Sequence, residues 1–373
     1  MTDEPETMQA SRPRALVALA QPVALLAIAL VVVVLVFAAR PPRSLTIETG
    51  PVGGSYHVAA QKYQAILARR GIDLRVKTNP NSLEIVRNVG DPKSDVDVGF
   101  IAQDVSSTHG ASVLAVGQIE IQPLFIFANA DMGRRSTLDD LRGRRIVMPP
   151  AESATSDAAI RLFQLYDITK DNSQFEFMLL SDAVKALRAG KFEAGAFMLA
   201  PENQVVRELM GDSGLHLVPI TDVKAIANHL PFLRPATLPR GIYNIADAIP
   251  PANTPMVAAP VTLVVRKGLH PFLVFALLEA MTEVHRGPSF VSAAGDFPSA
   301  DGSQVNVDPR AAEYYRTGVP WLYRTLSPWP ASVFEQYQLW ILGLLLLGGL
   351  YQGAKFMVTI AIILWRPVSR LRG

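Results

Sequence analysis

Leu45-Thr46-Ile47-Glu48-Thr49-Gly50-Pro51-Val52-Gly53-Gly54-Ser55-Tyr56 is the stretch whose reading decides the fold. Residues 45–48 alternate apolar and polar, the period of a strand. Three glycines and a proline then mark a turn. Beyond it Val58, Ala59, Tyr63, Ile66 and Leu67 line one face of a helix that ends at Arg69-Arg70-Gly71, a basic last turn followed by a glycine stop. The pattern continues with a strand at 74–77, a helix at 81–89 and a strand at 95–101, which makes one βαβαβ lobe.

The plan recurs downstream. A strand is expected at 145–148, then a helix at 156–166 with Ala159, Leu162, Phe163 and Tyr166 on one side, and a strand at 175–180. Ser181 is placed to cap the next helix, Gly190 to stop it, and 194–199 reads as another strand. A return strand at 257–266 and a helix at 272–285 are expected to rejoin the first lobe. Two lobes joined near 127–136 and again near 250–255 predict an α/β body with a cleft and a hinge at its base. Residues 287–330, crowded with Pro and Gly and closing on Ser327-Pro328-Trp329-Pro330, read as an irregular, stiff stalk.

Composition points to lipid. Of the 373 residues 49% are hydrophobic and only 18% charged, with a mean hydropathy of +0.22, which is apolar for a soluble protein. Residues 15–39 carry no charge over about 25 positions, enough to span a ~30 Å hydrocarbon core. Retention as an anchor is favoured over cleavage as a signal peptide, because the apolar run is long and Arg40-Pro41-Pro42 is a poor processing context. A second apolar stretch, 339–365, has Trp340 and Trp365 near its limits and Arg366, Arg370 and Arg372 beyond it. Those arginines place the C-terminus, and with it the N-terminus, in the cytoplasm, although Arg40 and Arg43 oppose this. Lys355 interrupts the second stretch and is read as snorkelling. Gly349 and Gly353 stand one turn apart, where a neighbouring helix could approach. The expected plan is therefore a cytoplasmic N-terminus (1–14), an anchor (15–39), lobe 1 (44–128), lobe 2 (129–254), a return to lobe 1 with the stalk (255–330), a second transmembrane helix (339–365) and a cytoplasmic tail (366–373).

Charge and residue usage exclude several classes. A formal net charge of +2 without a long Lys/Arg run argues against nucleic acid as a partner. The absence of cysteine excludes thiolate catalysis, zinc–thiolate sites, iron–sulfur ligation and disulfides. The six histidines show no metal-ligand spacing, and no Gly-x-Ser-x-Gly elbow occurs, so no catalytic residue, metal or cofactor is expected. His57 alone is placed near the cleft, where a structural role outweighs a catalytic one because no partnered base accompanies it.

Three polar segments follow strands and open helices. In Gly50 to Tyr56 free backbone N–H groups and the helix dipole favour an anion or a carbonyl oxygen, and a plain tight turn explains the glycines equally well. The spacing is that of neither a P-loop nor a Rossmann turn. Asn81 with Glu84 has capping-box spacing, which leaves the Ser82 hydroxyl free, and capping alone would explain these residues. The third segment is Glu152-Ser153-Ala154-Thr155-Ser156. Helix N-termini gathered at the C-terminal ends of strands mark a ligand crevice in open α/β sheets.

These residues also carry a resemblance, which covers Leu45 to about Leu269. Glu48 to Tyr56 resembles the opening Gly-Thr-Gly-x-x-Gly-Gly-x-Tyr of the TAXI solute-binding subunits of TRAP (tripartite ATP-independent periplasmic) transporters. Thr78 to Asn88 is similar to that family's Thr-x-Gly-Ser-x-x-Asn segment, with Asn81 where glycine is usual. Asp97-Val98-Gly99-Phe100-Ile101-Ala102-Gln103-Asp104 is similar to its Asp-x-Gly-Phe-x-Gln-x-Asp, and Leu141 to Val147 and Leu238 to Tyr243 resemble two later segments. The family's Gly-Ser-Gly-Thr stands here as Glu152-Ser153-Ala154-Thr155, which adds a carboxylate and leaves the ligand's charge open.

The resemblance implies a type II periplasmic-binding fold flanked here by two transmembrane helices. It also implies a small organic ligand, carboxylate-bearing or amino-acid-like, and membrane permease subunits of a TRAP-type transporter as partners. With the crevice geometry it places the ligand between the lobes, on Gly53, Gly54, Ser55, Tyr56, Asn81, Ser82 and Gln103 from the first and Ser153 and Thr155 from the second. The expected protein is an extracytoplasmic receptor tethered to the inner membrane. The alternative is a tethered sensory or scaffold subunit that binds without delivering.

Overall fold

The computed structural model describes Leu30, Val34 and residues 42–103, 112–133, 135–326 and 328–365. The chain divides into two compact units, Pro42–Val319 and a second formed by Met1–Pro41 with Pro320–Gly373.

The first unit contains β1 (Ser44–Thr49), α1 (Ser55–Ala68), β2 (Asp73–Thr78), α2 (Ser82–Gly90), β3 (Val98–Ile101), β4 (Val113–Asn129), β5 (Arg145–Met148), α3 (Ala154–Leu165), β6 (Gln174–Phe177), α4 (Leu180–Arg188), β7 (Ala194–Met198), α5 (Gln204–Met210), β8 (Leu215–Leu217), α6 (Val223–His229), β9 (Arg234–Leu238), β10 (Thr254–Arg266), α7 (Pro271–His285) and α8 (Pro309–Thr317). The alternation read at 45–101 and 145–199 is present. Arg69-Arg70-Gly71 ends α1 with Gly71 at φ +73° and with Ile72 N–H donating back to Leu67 O, a left-handed stop that suits glycine.

One sheet runs in the order β2-β1-β3-β10-β4-β7-β5-β6, with β8 added to β4 and β9 to β10. In the first half β1, β2 and β3 are parallel, and in the second β5, β6 and β7 are. The two long strands, β4 of 17 residues and β10 of 13, run antiparallel and belong to both halves. β4 pairs with β10 as far as Pro123 and with β7 from Leu124. β10 pairs with β9 up to Ala258 and with β3 from Thr262. The change of partner thus falls inside these strands, not at the 127–136 and 250–255 crossings expected from the sequence. Pro123, with no N–H to donate, sits where β4 changes neighbours and is tolerated there.

Each half buries its own core. Val86, Val89, Ile101, Val113, Ala115 and Val264 pack together in the first, and Phe125, Phe127, Leu187, Phe197, Val206 and Leu209 in the second. Two local expectations are revised. Ser181 does not cap α4, which starts at the buried Leu180 with Leu179 as an N-cap that makes no side-chain bond. The supposed irregular stalk contains α8, whose start is set by Asp308 as cap and Pro309 in the first turn.

The second unit holds α9 (Trp321–Thr325) and α10 (Pro328–Trp365). Pro328 and Pro330 fall in the first turn of α10, where the N–H groups they lack would have no helical partner. Among the described residues one helical segment, Tyr337–Ala361, is long and apolar enough by length and composition to cross a membrane. Its 25 residues extend about 37 Å. The Lys355 ammonium lies 5.0 Å over the Tyr351 ring one turn earlier. The expected first span at 15–39 lies outside the described residues except for Leu30 and Val34, and so do Arg366, Arg370 and Arg372.

Candidate functional site

The glycine turn after β1 is drawn tight by Gly54 N–H donating to Pro51 O at 3.0 Å, with Gly53 at φ +82°, a conformation that glycine adopts without strain. Gly54 is the N-cap of α1 and offers no side chain, so the first N–H groups of that helix face the crevice uncapped. Ser55 Oγ accepts Ala200 N–H at 2.8 Å, and the Asn203 amide donates to Gly53 O at 3.0 Å. Tyr56 stacks on Phe100 with ring centroids 5.2 Å apart. Burial pushes its hydroxyl pKa well up, and the nearby Glu120 adds to that.

The second N-terminus is fixed from below by Glu48, which is buried and accepts from the amides of Asn88 at 2.9 Å and Asn79 at 3.5 Å. Asn81 Oδ1 caps α2 by accepting Glu84 N–H at 3.1 Å, and its amide donates to the Glu152 carboxylate. Both residues stand where the resembled family has glycine, so these two departures from its pattern pair with each other. Ser82 N–H donates to Glu152 O at 3.2 Å, and Ser82 Oγ accepts Ala154 N–H at 2.9 Å. On the facing half Ser153 Oγ caps α3 through Ser156 N–H at 3.2 Å, and Thr155 Oγ1 accepts Met198 N–H at 3.2 Å.

Gly54, Ser55, Tyr56, Ser82, Ser153 and Thr155 line one cavity of about 60 Å³ between the two halves, floored by Gln122 of β4. Gly53, Asn81 and Gln103 do not line it. Gly53 lies on the exposed outer side of the turn, and Asn81 is taken up by its cap and by Glu152. Gln103 is 2% exposed, and its Oε1 has no hydrogen-bond partner among the described residues. The hydroxyls expected to hold a ligand are bonded to backbone, Ser82 across the cleft and Thr155 to β7, as buried polar groups require. His57 stays beside the turn, 3.5 Å from Thr49 Oγ1 and 3.2 Å from the Gln61 amide.

A second polar group escaped the sequence reading. Glu120 on β4 accepts the Gln122 amide at 2.5 Å and stands 3.9 Å from Nδ1 of His285 on α7, whose Nε2 meets the Tyr63 hydroxyl at 2.8 Å. Burial pushes the Glu120 carboxyl up to about 7, with Glu202 repelling its charge as well. Burial first, then Lys62, pushes His285 down to about 3. The signal was Gln118, Glu120 and Gln122 recurring every second residue in an otherwise apolar run. Among the described residues no group of three or more His, Cys, Asp or Glu is placed to hold a metal ion.

Two parallel half-sheets sharing two long strands, with polar helix N-termini converging between them, define an α/β domain of the cleft-binding kind. The chain belongs to the NMT1-like family, whose model matches residues 47–316. Among solved structures it is similar to the alkanesulfonate-binding protein SsuA from Xanthomonas axonopodis pv. citri bound to MOPS, at 15% identity over 65% of this chain and 73% of that one, TM-score 0.42. It is also similar to the periplasmic aliphatic sulphonate binding protein SsuA from Escherichia coli, at 13% identity over 65% and 72%, TM-score 0.43. A third is an ancestral arginine-binding protein bound to arginine, at 16% identity over 65% and 92%, TM-score 0.41.

Proposed function

We propose that this chain is a membrane-tethered, extracytoplasmic receptor that closes its cleft on a small organic solute and presents it to the permease subunits of a TRAP-type transporter. The observation that carries the reading is the convergence of Ser55, Ser82, Ser153 and Thr155, from three helix N-termini on both halves, upon one cavity. Family membership supports a solute-binding role, and the TAXI-like motifs around Gly53, Gly54 and Gln103 support the narrower assignment. The Tyr337–Ala361 segment supports the tether, which would keep the receptor at high effective concentration beside its partner. Protease accessibility in spheroplasts tests the arrangement, and a cytoplasmic Pro42–Val319 body would end it.

Solute binding is tested on the full chain in nanodiscs by thermal shift against carboxylates, sulfonates and amines, followed by calorimetry. Ser82→Ala removes an acceptor that joins the two halves, and Thr155→Ala one that holds the cavity wall to β7, each worth about 0.5–1.5 kcal/mol. Each is expected to weaken a cleft-bound solute roughly 2- to 12-fold. Unchanged affinity in both variants would put the solute elsewhere.

A further inference from the structure

A cavity of about 270 Å³ adjoins the cleft, and Ser55 borders both. It lies between α1, the middle of β4, the loop after β7, the end of α7 and the segment that follows α7, and its polar lining includes Lys62, Glu120, Glu202, Asn203, His285 and Ser289. β4 carries one extra residue opposite the Val261/Thr262 step, next to Glu120, and such a bulge re-aims the neighbouring side chain. Glu120 keeps 21% of its side chain exposed, toward this space.

The charges in the cavity are unbalanced. Glu120 and Glu202 contribute two carboxylates. Among the described residues Lys62 is the one lysine or arginine in the lining; it is exposed and makes no ion pair with either carboxylate. Glu202 accepts Phe290 N–H at 2.5 Å, while among the described residues Glu120 accepts only from the Gln122 amide. His285, with a side chain 9% exposed, presents an Nδ1 that has no partner within hydrogen-bond distance among the described residues. Lys62 acts on Glu120 only from a distance, and a carboxylate buried without a contacting counter-ion is costly.

We propose that this cavity is a subsite for the ammonium group of a small organic solute, with Glu120 as its counter-ion and Glu202 as the second carboxylate. The inference rests on the solute-receptor reading and names the chemistry of the solute. The groups facing Glu120 are Lys62, Tyr56 and Tyr63 from α1, Gln122 from its own strand, Glu202 from the loop after β7 and His285 from α7. Near neutral pH the Glu120 carboxyl holds a proton for part of the time. An ammonium ion binds the ionised form, so that binding expels this proton to solvent while the ammonium keeps its own.

The test uses the full chain in nanodiscs, with n-butylammonium, n-butyrate and 4-aminobutyrate as matched probes, by thermal shift and by calorimetry at pH 6.5 in two buffers of different ionisation heat. The two ammonium compounds should bind, butyrate should not, and binding should release a fraction of a proton. Glu120→Gln, which keeps the shape and an acceptor for Gln122, should lower ammonium affinity at least tenfold and abolish the release. Lys62→Gln, at an exposed position that spares the fold, should raise it about two- to fivefold by removing a repelling charge. Binding of butyrate alone, or ammonium affinity unmoved by both variants, overturns the inference. A response only to carboxylates or sulfonates that falls in Thr155→Ala overturns it and leaves the receptor reading standing; no response to any solute class sinks both.

Discussion

Asp308→Ala should unfold the first unit on the order of 10 °C below the parent chain, a loss of about 3–5 kcal/mol. Asp308 is 0% exposed. Its Oδ1 caps α8 through Arg310 N–H at 2.9 Å and accepts Arg310 Nε at 2.8 Å, and its Oδ2 accepts from Arg310 Nη2 at 2.5 Å. The guanidinium also reaches Leu269 O at 2.7 Å, and Asp308 N–H donates to Ala115 O at 2.8 Å. The Asp308 backbone thus ties α8 to β4, and its carboxylate, through Arg310, ties α8 to the entry of α7. Alanine removes the cap and leaves a largely buried guanidinium without its counter-charge. Differential scanning calorimetry on Asp308→Ala, Arg310→Ala and the double variant decides the matter. The double variant should cost clearly less than the sum of the two, and strict additivity would mean that the residues do not act as a pair.

The second large effect is a pH dependence that only variants expose. Glu120 is raised from 4.5 to about 7. Its stabilising contribution is therefore complete below the unfolded value and is lost as pH rises through 7. His285 is lowered from 6.5 to about 3, so its contribution is complete above 6.5 and is lost as pH falls toward 3. Between pH 4.5 and 6.5 the two slopes oppose each other and cancel in the parent chain. His285→Gln should leave the Glu120 slope, with stability falling by about 2 kcal/mol from pH 4.5 to 6.5, and Glu120→Gln should show a rise of similar size. Thermal unfolding of the three chains across that window reads the difference, and parallel curves would show that the two groups are not perturbed as their burial implies.

Local chemistry made much of the fold legible. The alternation at Leu45 to Glu48, the Asn81 cap with Glu84 three residues on, and the glycine stops at Gly71 and Gly190 are each written within a few residues of where they act. β4 was not legible, because its residues are nearly all buried, its alternation is confined to Gln118, Glu120 and Gln122, and Gly117 and Pro123 read as breakers. α8 carried a readable start in Asp308-Pro309 that the surrounding Pro and Gly concealed. The same division holds for the site. Ser82, Ser153 and Thr155 could be found because helix N-termini announce themselves, whereas Glu120 and His285 come from distant segments that meet only through the sheet order. Lys62 and Glu202 gain meaning only beside them.

The place of β10 has a consequence for how the molecule is made. It lies between β3 and β4, yet about 150 residues separate the end of β3 from its start. At 5–20 residues per second, synthesis leaves that gap open for on the order of ten seconds. Throughout, one edge of β3, Val98-Gly99-Phe100-Ile101, all of it buried in the finished fold, has no strand to pair with. Such an edge is a template for other chains. The nascent protein is thus most vulnerable to aggregation before its last strand arrives, and a holding chaperone should raise its yield more than slower unfolding of the finished fold would.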